Sequence, residues 1–247
     1  SAGPAFEGGG LKFGMRAAKG AIEDFSMDPV TLEPMIITIG NVRAKGICGS
    51  GLIIMVGVMF EMGIINNLGK FDRDLDTPRI RADNGIYEYV LAWQDETQIG
   101  RDVTLTEIDI ENLIRAKGAI YSGCMTLLTE VGMSITDIEH IILAGGFGSY
   151  VDLEKAMTIG LLPEMDTDKV TFIGNGSLMG ARMSSLTNRI RQDVSEVTKK
   201  MTNFELSDTS SYMDNYVAAL FLPHTDMNQF PKIKSRLEAR KKMTNVE

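Results

Sequence analysis

Three glycine clusters hold the residues of this chain whose types and spacing best suit ligand binding. Gly145 and Gly146 follow an apolar run, 141–143, that is typical of a buried strand. Glycines at the end of a strand either allow a positive φ or let a ligand lie against the main chain. The other clusters are Glu7-Gly8-Gly9 and, inside a long predicted helix, Lys117-Gly118. Singly, each is typical of a turn or of close packing. Together they suggest a cleft in which backbone N–H groups meet an anion and a helix meets a flat ring.

The elements that must position these clusters are predicted from hydrophobic spacing. The composition and spacing of residues 15–25 predict a helix, and residues 34–39 are predicted to form a strand. Residues 46–63 predict an apolar helix whose opening glycines allow a tight helix crossing. A strand over 85–93 follows the Asp83-Asn84-Gly85 hairpin turn.

A long amphipathic helix is predicted over 109–131, with Asp109 as its N-cap. Its apolar stripe is Ile110, Leu113, Ile114, Ile120, Cys124, Leu127 and Val131.

The second half of the chain alternates helix and strand, which predicts an α/β architecture. A helix over 152–162, capped by Asp152, lies between the strand that ends near Gly145 and a second strand over 170–175. Ligands in such folds bind beyond the carboxyl ends of the strands. The glycine-rich turns 145–148 and 174–176 both follow a strand, so they are predicted to share that edge.

Composition excludes several functions. The chain has 247 residues, 44% of them hydrophobic, and a net charge of −8. This charge opposes binding to nucleic acid or to an anionic membrane, and the longest apolar run is too short to span a bilayer. Cys48 and Cys124 form no CxxC, so neither a zinc ribbon nor a cysteine-ligated cluster fits, and no metal site is predicted. Two lone thiols favour a reducing, cytoplasmic setting.

Common catalytic motifs are absent from the sequence. The segment 63–71 lacks the spacing and the Ser or Thr of a P-loop, and Gly174, Gly176 and Gly180 give GxGxxxG instead of the dinucleotide fingerprint. No HExxH or GxSxG occurs.

The motifs resemble those of a known superfamily. "LAGGFGSY" is similar to the adenosine motif of the actin, sugar-kinase and heat-shock chaperone ATPases, and "RAKGAIYSG" to their adenine-facing helix. "GICGSGLI" and "GNGSLMGA" resemble their two connecting helices. Five segments resemble, in order, the C-terminal part of the reductive activators of corrinoid proteins: "SAGPAFEGGGLKFGMRAAKGAI", "GICGSGLI", "DIENLIRAKGAIYSG", "LAGGFGSYVDLEKAMTIGLLP" and "YVAALFLPHTD".

The resemblance implies a ribonuclease H-like, actin-like ATPase lobe: a mixed sheet flanked by helices, with an inserted α+β segment. The implied second lobe spans 1–201, with its insertion at about 64–132, and 202–247 is a C-terminal extension that packs on it. The first lobe and an N-terminal [2Fe–2S] domain are expected to lie outside this chain, which begins without an initiator Met.

The resemblance also implies a function. Such activators use ATP with Mg²⁺ to drive the reduction of Co(II) corrinoid to Co(I) on a corrinoid methyl-transfer protein, and a homodimer is a further expectation. Alternatives are a non-catalytic docking or dimerisation lobe, or another ATPase or kinase of the superfamily.

The residue roles carried over are as follows. Gly145 and Gly146 would admit the ribose and α-phosphate, and Phe147 would border adenine. Lys117, Gly118 and Tyr121 would face the nucleotide from the helix, and Glu7, Gly8 and Gly9 would line the floor of the cleft. The only DxG in the chain is the hairpin turn at Asp83, so the phosphate and Mg²⁺ aspartates are expected upstream of Ser1, and the fragment alone is expected to be inactive.

Overall fold

A computed structural model of the chain describes residues 3–146 and 151–244. Its strands are β1 (Ala21–Met27), β2 (Pro34–Thr38), β3 (Gly46–Ile47), β4 (Ile80–Asp83), β5 (Ile86–Ala92), β6 (Val103–Thr106), β7 (Ile141–Leu143) and β8 (Val170–Phe172). Its helices are α1 (Gly49–Glu61), α2 (Glu107–Glu130), α3 (Leu153–Thr158), α4 (Gly176–Leu186), α5 (Asn188–Lys200), α6 (Ser210–Ala218) and α7 (Pro231–Thr244). A short 3₁₀ helix, Pro4–Glu7, precedes β1.

Within the described residues the strands form three small sheets. β1 lies between antiparallel β2 and parallel β3, whereas β5 lies between β4 and β6 and is antiparallel to both. β7 and β8 are parallel. One hydrophobic core joins the first two sheets to α1 and α2, since Ile22, Leu52, Tyr89 and Ile110 belong to the same cluster. Because this core is shared by residues inside and outside the predicted insertion, it marks no boundary, and the bounds 64–132 stay a prediction.

The contact between α1 and β1 is unusually close. Gly51 lies where an added Cβ would be 2.2 Å from the carbonyl oxygen of Ile22, so only glycine allows this approach. Leu52, Ile53 and Val56 beside it are fully buried. The apolar helix predicted over 46–63 is confirmed, and its Gly51 packs against a strand, not against another helix.

The helix predicted over 15–25 is wrong, because this stretch contains most of β1. Ala21, Ile22, Phe25 and Met27 are buried against the core. The register of β1 against β2 shifts between Ile22 and Asp24. Such an irregularity breaks the period of two by which a strand is recognised in a sequence.

Helix α2 begins at Glu107, two residues before the predicted start at 109. Thr106 is its N-cap and Asp109 is its third residue, so the prediction of Asp109 as N-cap is wrong. The two form a capping box: the Asp109 N–H donates to Thr106 Oγ1 at 3.1 Å, and the Thr106 N–H donates to Asp109 Oδ2 at 2.9 Å.

The apolar stripe of α2 is confirmed only in its first half. Ile110, Leu113 and Ile114 are buried, but Leu127 is 43% and Val131 is 55% exposed. The buried face continues instead through a mixed set of residues: Lys117, Gly118, Tyr121, Ser122, Gly123 and Thr126. That face turns toward the C-terminal segment, which supplies the packing.

The C-terminal segment is tied to α1 and α2 by specific contacts. Asn215 Nδ2 donates to Thr126 Oγ1 at 3.1 Å. The first free N–H groups of α7, those of Lys232 and Ile233, donate to the Glu164 carboxylate at 2.8 and 3.0 Å. Farther along α7, Arg236 pairs with Glu61, the last residue of α1, at 3.1 Å. The boundary of the extension at residue 202 stays a prediction.

The predicted Asp83-Asn84-Gly85 hairpin turn is confirmed. Asn84 and Gly85 have φ of 50° and 80° between β4 and β5, as a type I′ turn requires. Near it, the buried Glu88 carboxylate accepts from Lys12 Nζ at 2.7 Å and from Thr104 Oγ1 at 2.8 Å, and it pairs with Arg81. The buried carboxylate is therefore compensated.

We expect Gly51→Ala to lower the free energy of unfolding by about 2 kcal/mol, because its Cβ would displace the backbone of β1. Urea denaturation measures this change. Gly180→Ala in α4 is the matched control: its added Cβ meets nothing within 4 Å, so stability should stay equal or rise by up to about 1 kcal/mol. Equal losses in the two variants would contradict the close α1–β1 contact.

Candidate functional site

The two glycine-rich turns lie together beyond the carboxyl ends of β7 and β8. The Gly145 N–H donates to the Gly174 carbonyl oxygen at 2.6 Å, which confirms that the turns share one edge. Gly145 has φ of 111°, and an added Cβ on Gly145 or Gly146 would meet no atom of the described residues within 4 Å. The positive φ accounts for Gly145, whereas neither φ nor packing within the described residues requires glycine at 146, and a ligand can approach the main chain there. Phe147 lies outside the described residues.

A second feature is a cleft of about 610 Å³ between the N-terminal glycine loop and α2. This volume lies within the range of small-molecule sites. One wall is backbone and small side chains, and the other is one face of α2. Its lining residues are Gly3, Pro4, Ala5, Gly9, Gly10, Asn112, Arg115, Ala116, Ala119 and Ile120.

The glycine loop is held in a defined shape. Gly8 has φ of 78°, and an added Cβ would lie 2.4 Å from the Met15 carbonyl oxygen. The Gly9 N–H donates to Pro4 O at 2.7 Å. Asn112 Nδ2 donates to the Gly10 carbonyl oxygen at 2.8 Å, which joins the loop to α2 across the cleft. The exposed main chain of Gly9 and Gly10 is thus fixed before any ligand binds.

The α2 wall is apolar along its length and charged at its edge. Ala116 and Ala119 leave space beside the helix, and Ile120 continues the apolar surface. The Arg115 guanidinium pairs with Glu111 one turn earlier. Since Arg115 is largely exposed at the cleft, its charge is available to an anionic ligand at low cost.

Lys117, Gly118 and Tyr121 occupy a different face of α2. The Lys117 side chain is fully buried, and its Nζ donates to the carbonyl oxygens of Phe221 at 2.5 Å and Pro223 at 2.6 Å. An added Cβ on Gly118 would lie 3.4 Å from the Ala219 carbonyl oxygen. These contacts join α2 to the C-terminal segment, and the predicted nucleotide roles of the three residues stay predictions.

Burial perturbs the titratable groups of this face. It lowers the pKa of Lys117 to about 7 and raises the pKa of Tyr121 to about 12. Burial, followed by the positive charge of Lys117, lowers the pKa of His224. The Tyr121 hydroxyl donates to Gln229 Oε1 at 2.8 Å, and its ring lies 5.5 Å from that of His224. Lys117, Tyr121 and His224 thus belong to a packed, hydrogen-bonded contact between α2 and the C-terminal segment.

The remaining predicted residues are placed as follows. Glu7 is exposed at the end of the 3₁₀ helix, and Gly8 shapes the loop without lining the cleft. Asp152 caps α3 by accepting the Lys155 N–H at 2.8 Å, as predicted. Among the described residues, no group of three or more His, Cys, Asp or Glu side chains is arranged to hold a metal ion. In the same part of the chain, no helix is long and apolar enough to cross a membrane.

Sequence reasoning found Gly9 but missed the α2 residues that face it. Asn112, Ala116 and Ala119 repeat at helical spacing and combine small with polar residues, a signal that could have identified a wall of a cleft. The prediction took Ile120 for core and Lys117 for the ligand side. A buried lysine is rare, so the apolar stripe left Lys117 out of the buried face. Its nucleotide role was carried over from the family resemblance and stays a prediction.

These features define an α/β domain of the actin-like ATPase type, in which glycine turns and a long helix frame a cleft. The chain belongs to the family described as the C-terminal domain of RACo, the ASKHA domain, which matches residues 1–234. The sequence resemblance and the predicted fold class are thereby confirmed.

Relatives of known name support this membership. The chain is 32% identical over 222 residues to the corrinoid activation enzyme RamQ of Eubacterium limosum, covering 87% of this chain and 37% of that protein. It is 30% identical to the [Co(II) methylated amine-specific corrinoid protein] reductase of Methanosarcina barkeri, covering 87% and 40%.

A solved structure of a reductive activator for corrinoid, iron–sulfur protein superposes with a TM-score of 0.86 at 46% identity, covering 94% of this chain and 37% of that one. The chain thus spans about two fifths of the length of these relatives.

We expect the stability of the folded chain to rise with pH through Lys117. Its pKa is about 7 when folded and ordinarily 10.5, so between these values the unfolded state binds more protons. The free energy of unfolding should therefore increase by at most about 1.4 kcal/mol per pH unit from pH 7 toward pH 10.5. Below pH 7 both states are protonated and the burial cost of the ammonium remains.

Urea denaturation at pH 7, 8 and 9 tests this expectation. We expect Lys117→Met to lose the rise in the free energy of unfolding with pH. The substitution also leaves the Phe221 and Pro223 carbonyl oxygens without their donor, but that cost does not change with pH. Lys169→Met, at an exposed lysine, keeps it. Parallel pH profiles for the wild type and Lys117→Met would show that Lys117 is charged throughout.

Proposed function

We propose that this chain is the nucleotide-binding C-terminal part of an activator that uses ATP to drive reduction of Co(II) to Co(I) on a corrinoid methyl-transfer protein. The observation that carries the proposal is the cleft between the glycine loop and α2 in a chain of this family. The names of the relatives refer to corrinoid activation or to a corrinoid protein, and they support the same assignment.

The cleft suits a nucleotide by its chemistry. Ala116, Ala119 and Ile120 offer an apolar surface on which a purine ring can lie. Gly9 and Gly10 present main chain without side chains, so phosphate or ribose oxygens can approach closely. The nearby Arg115 adds positive charge where an anion would enter.

The turn at Gly145 and Gly146 is proposed to contact the same nucleotide at its ribose and α-phosphate. Its glycines are open to approach and are fixed by the bond between Gly145 and Gly174. Lys117, Gly118 and Tyr121 would then act behind the cleft, since they hold the orientation of α2 against the C-terminal segment.

Among the described residues, no group of three or more His, Cys, Asp or Glu side chains is arranged to hold a metal ion, and no step is assigned to Mg²⁺ within them. Cys48 and Cys124 are too few for the four cysteine ligands of a ferredoxin-type [2Fe–2S] cluster. The chemistry proposed for this chain is therefore binding: it would hold ATP and pass the bound state to the rest of the protein through α2.

The test is ATP-dependent formation of Co(I) by the full-length protein, with a low-potential reductant and the Co(II) form of its corrinoid protein. Absorbance follows the cobalt, and calorimetry gives the nucleotide affinity. We expect Ala116→Phe, which fills the cleft, to weaken ATP binding at least about tenfold, a loss of about 1.4 kcal/mol. The rate at limiting ATP should fall in proportion.

Leu127→Phe is the matched control, because it adds the same ring to α2 outside the cleft. It should leave both measurements within about twofold of the wild type. Unchanged ATP affinity in Ala116→Phe would remove the cleft from the proposal. Co(I) formation that does not depend on ATP would contradict the function itself.

A further inference from the structure

Five exposed cations lie at one edge of the first sheet. They are Arg16, Lys19, Arg43, Lys45 and Arg101, and within residues 3–146 and 151–244 no ion pair joins any of them to an acid. We call this surface the basic edge. Most other cations of the first 160 residues are paired, for example Lys12, Arg79 and Arg81.

Backbone contacts show that the basic edge is continuous. The Lys45 N–H donates to the Gly20 carbonyl oxygen at 2.8 Å, and the Gly20 N–H donates to Ile39 O at 2.9 Å. Segments 18–20, 39–40 and 43–45 are therefore neighbours. On the other side, Gln98 Nε2 donates to the Arg43 carbonyl oxygen at 2.7 Å.

Two of the lysines have their stems held against bare backbone. The Cγ of Lys45 lies 3.0 Å from the position of a Cβ on Gly20, and the Cγ of Lys19 lies 3.2 Å from that on Gly40. The Arg101 guanidinium lies 5.1 Å from the centre of the Phe13 ring. Side chains held in this way lose less conformational entropy when a partner binds.

The surroundings indicate the kind of partner. The basic edge does not line the cleft between the glycine loop and α2, so it suits a surface better than a small ligand. Acids border the basic edge on one side. The exposed Asp95 and Glu96 directly precede Thr97, which forms a β-bridge with Ala44, the neighbour of Arg43. A long polyanion that extended beyond the basic edge would be repelled by the rest of the chain, because the net charge of the chain is −8. A folded protein with a confined acidic face would not.

We propose that the basic edge docks an acidic face of the corrinoid protein that this activator reduces. The inference rests on the proposed function for the identity of the partner. Complementary charge of this kind chiefly raises the association rate and orients the encounter, and it weakens as salt is added.

The test is binding of full-length protein to its immobilised corrinoid protein at 50 and 300 mM salt, with Lys19→Glu/Lys45→Glu as the variant. Lys199→Glu/Lys200→Glu, at exposed lysines of α5, is the matched control with the same change in charge. We expect the first variant to lower the association rate at least about tenfold at low salt and to lose most of the salt dependence. The control should stay within about twofold.

Equal effects of the two variants, or no effect of the first, would overturn the docking surface. Tighter binding to a DNA duplex than to the corrinoid protein, abolished by the first variant, would also overturn it in favour of a nucleic acid. Calorimetry with ATP on the same samples separates the two proposals. Failure of the basic edge leaves wild-type ATP-dependent Co(I) formation intact, whereas failure of the proposed function removes it from the wild type.

Discussion

The rotation of α2 about its own axis is the constraint on which the rest of the site depends. Lys117 sets this rotation, because its buried ammonium donates to the Phe221 and Pro223 carbonyl oxygens. A charge with no carboxylate partner is costly to bury, and the two carbonyls offset part of that cost. With this face turned toward the C-terminal segment, Asn112, Ala116 and Ala119 must face the glycine loop. The C-terminal segment therefore shapes a cleft that it does not line.

A second constraint is the close approach of backbone to backbone at glycine. Gly51 brings α1 onto β1, and Gly8 folds the N-terminal loop back on Met15. Both contacts exclude a side chain by sterics. The turn at Gly145 and Gly146 differs, because no atom of the described residues lies within 4 Å of a Cβ added to either glycine. The positive φ of Gly145 accounts for that glycine, whereas neither φ nor packing within the described residues requires glycine at 146. The contact of this turn with a nucleotide stays a proposal.

Charge is distributed so that the acidic chain still has a local basic surface. The buried Glu88 is compensated by Lys12 and Arg81, and Glu61 at the end of α1 pairs with Arg236 within α7. Within the described residues, no ion pair joins the cations of the basic edge to an acid. The fold thus uses some ion pairs for assembly and leaves these cations facing solvent, where a partner can reach them.

The sequence by itself determined the family, the α/β class, the hairpin at Asp83 and the shared edge of the glycine turns. These follow from local patterns: glycines after apolar runs, a turn that needs positive φ, and motifs in a fixed order. Only the tertiary structure decided that 21–27 is a strand and that Lys117 is buried while Ala116 faces the cleft. The first depends on pairing across a register shift, and the second on packing from residues about 100 positions away. Neither long-range contact leaves a periodic signal in its own segment, which is why spacing predicted a helix over 15–25 and an apolar stripe of α2 that leaves Lys117 out.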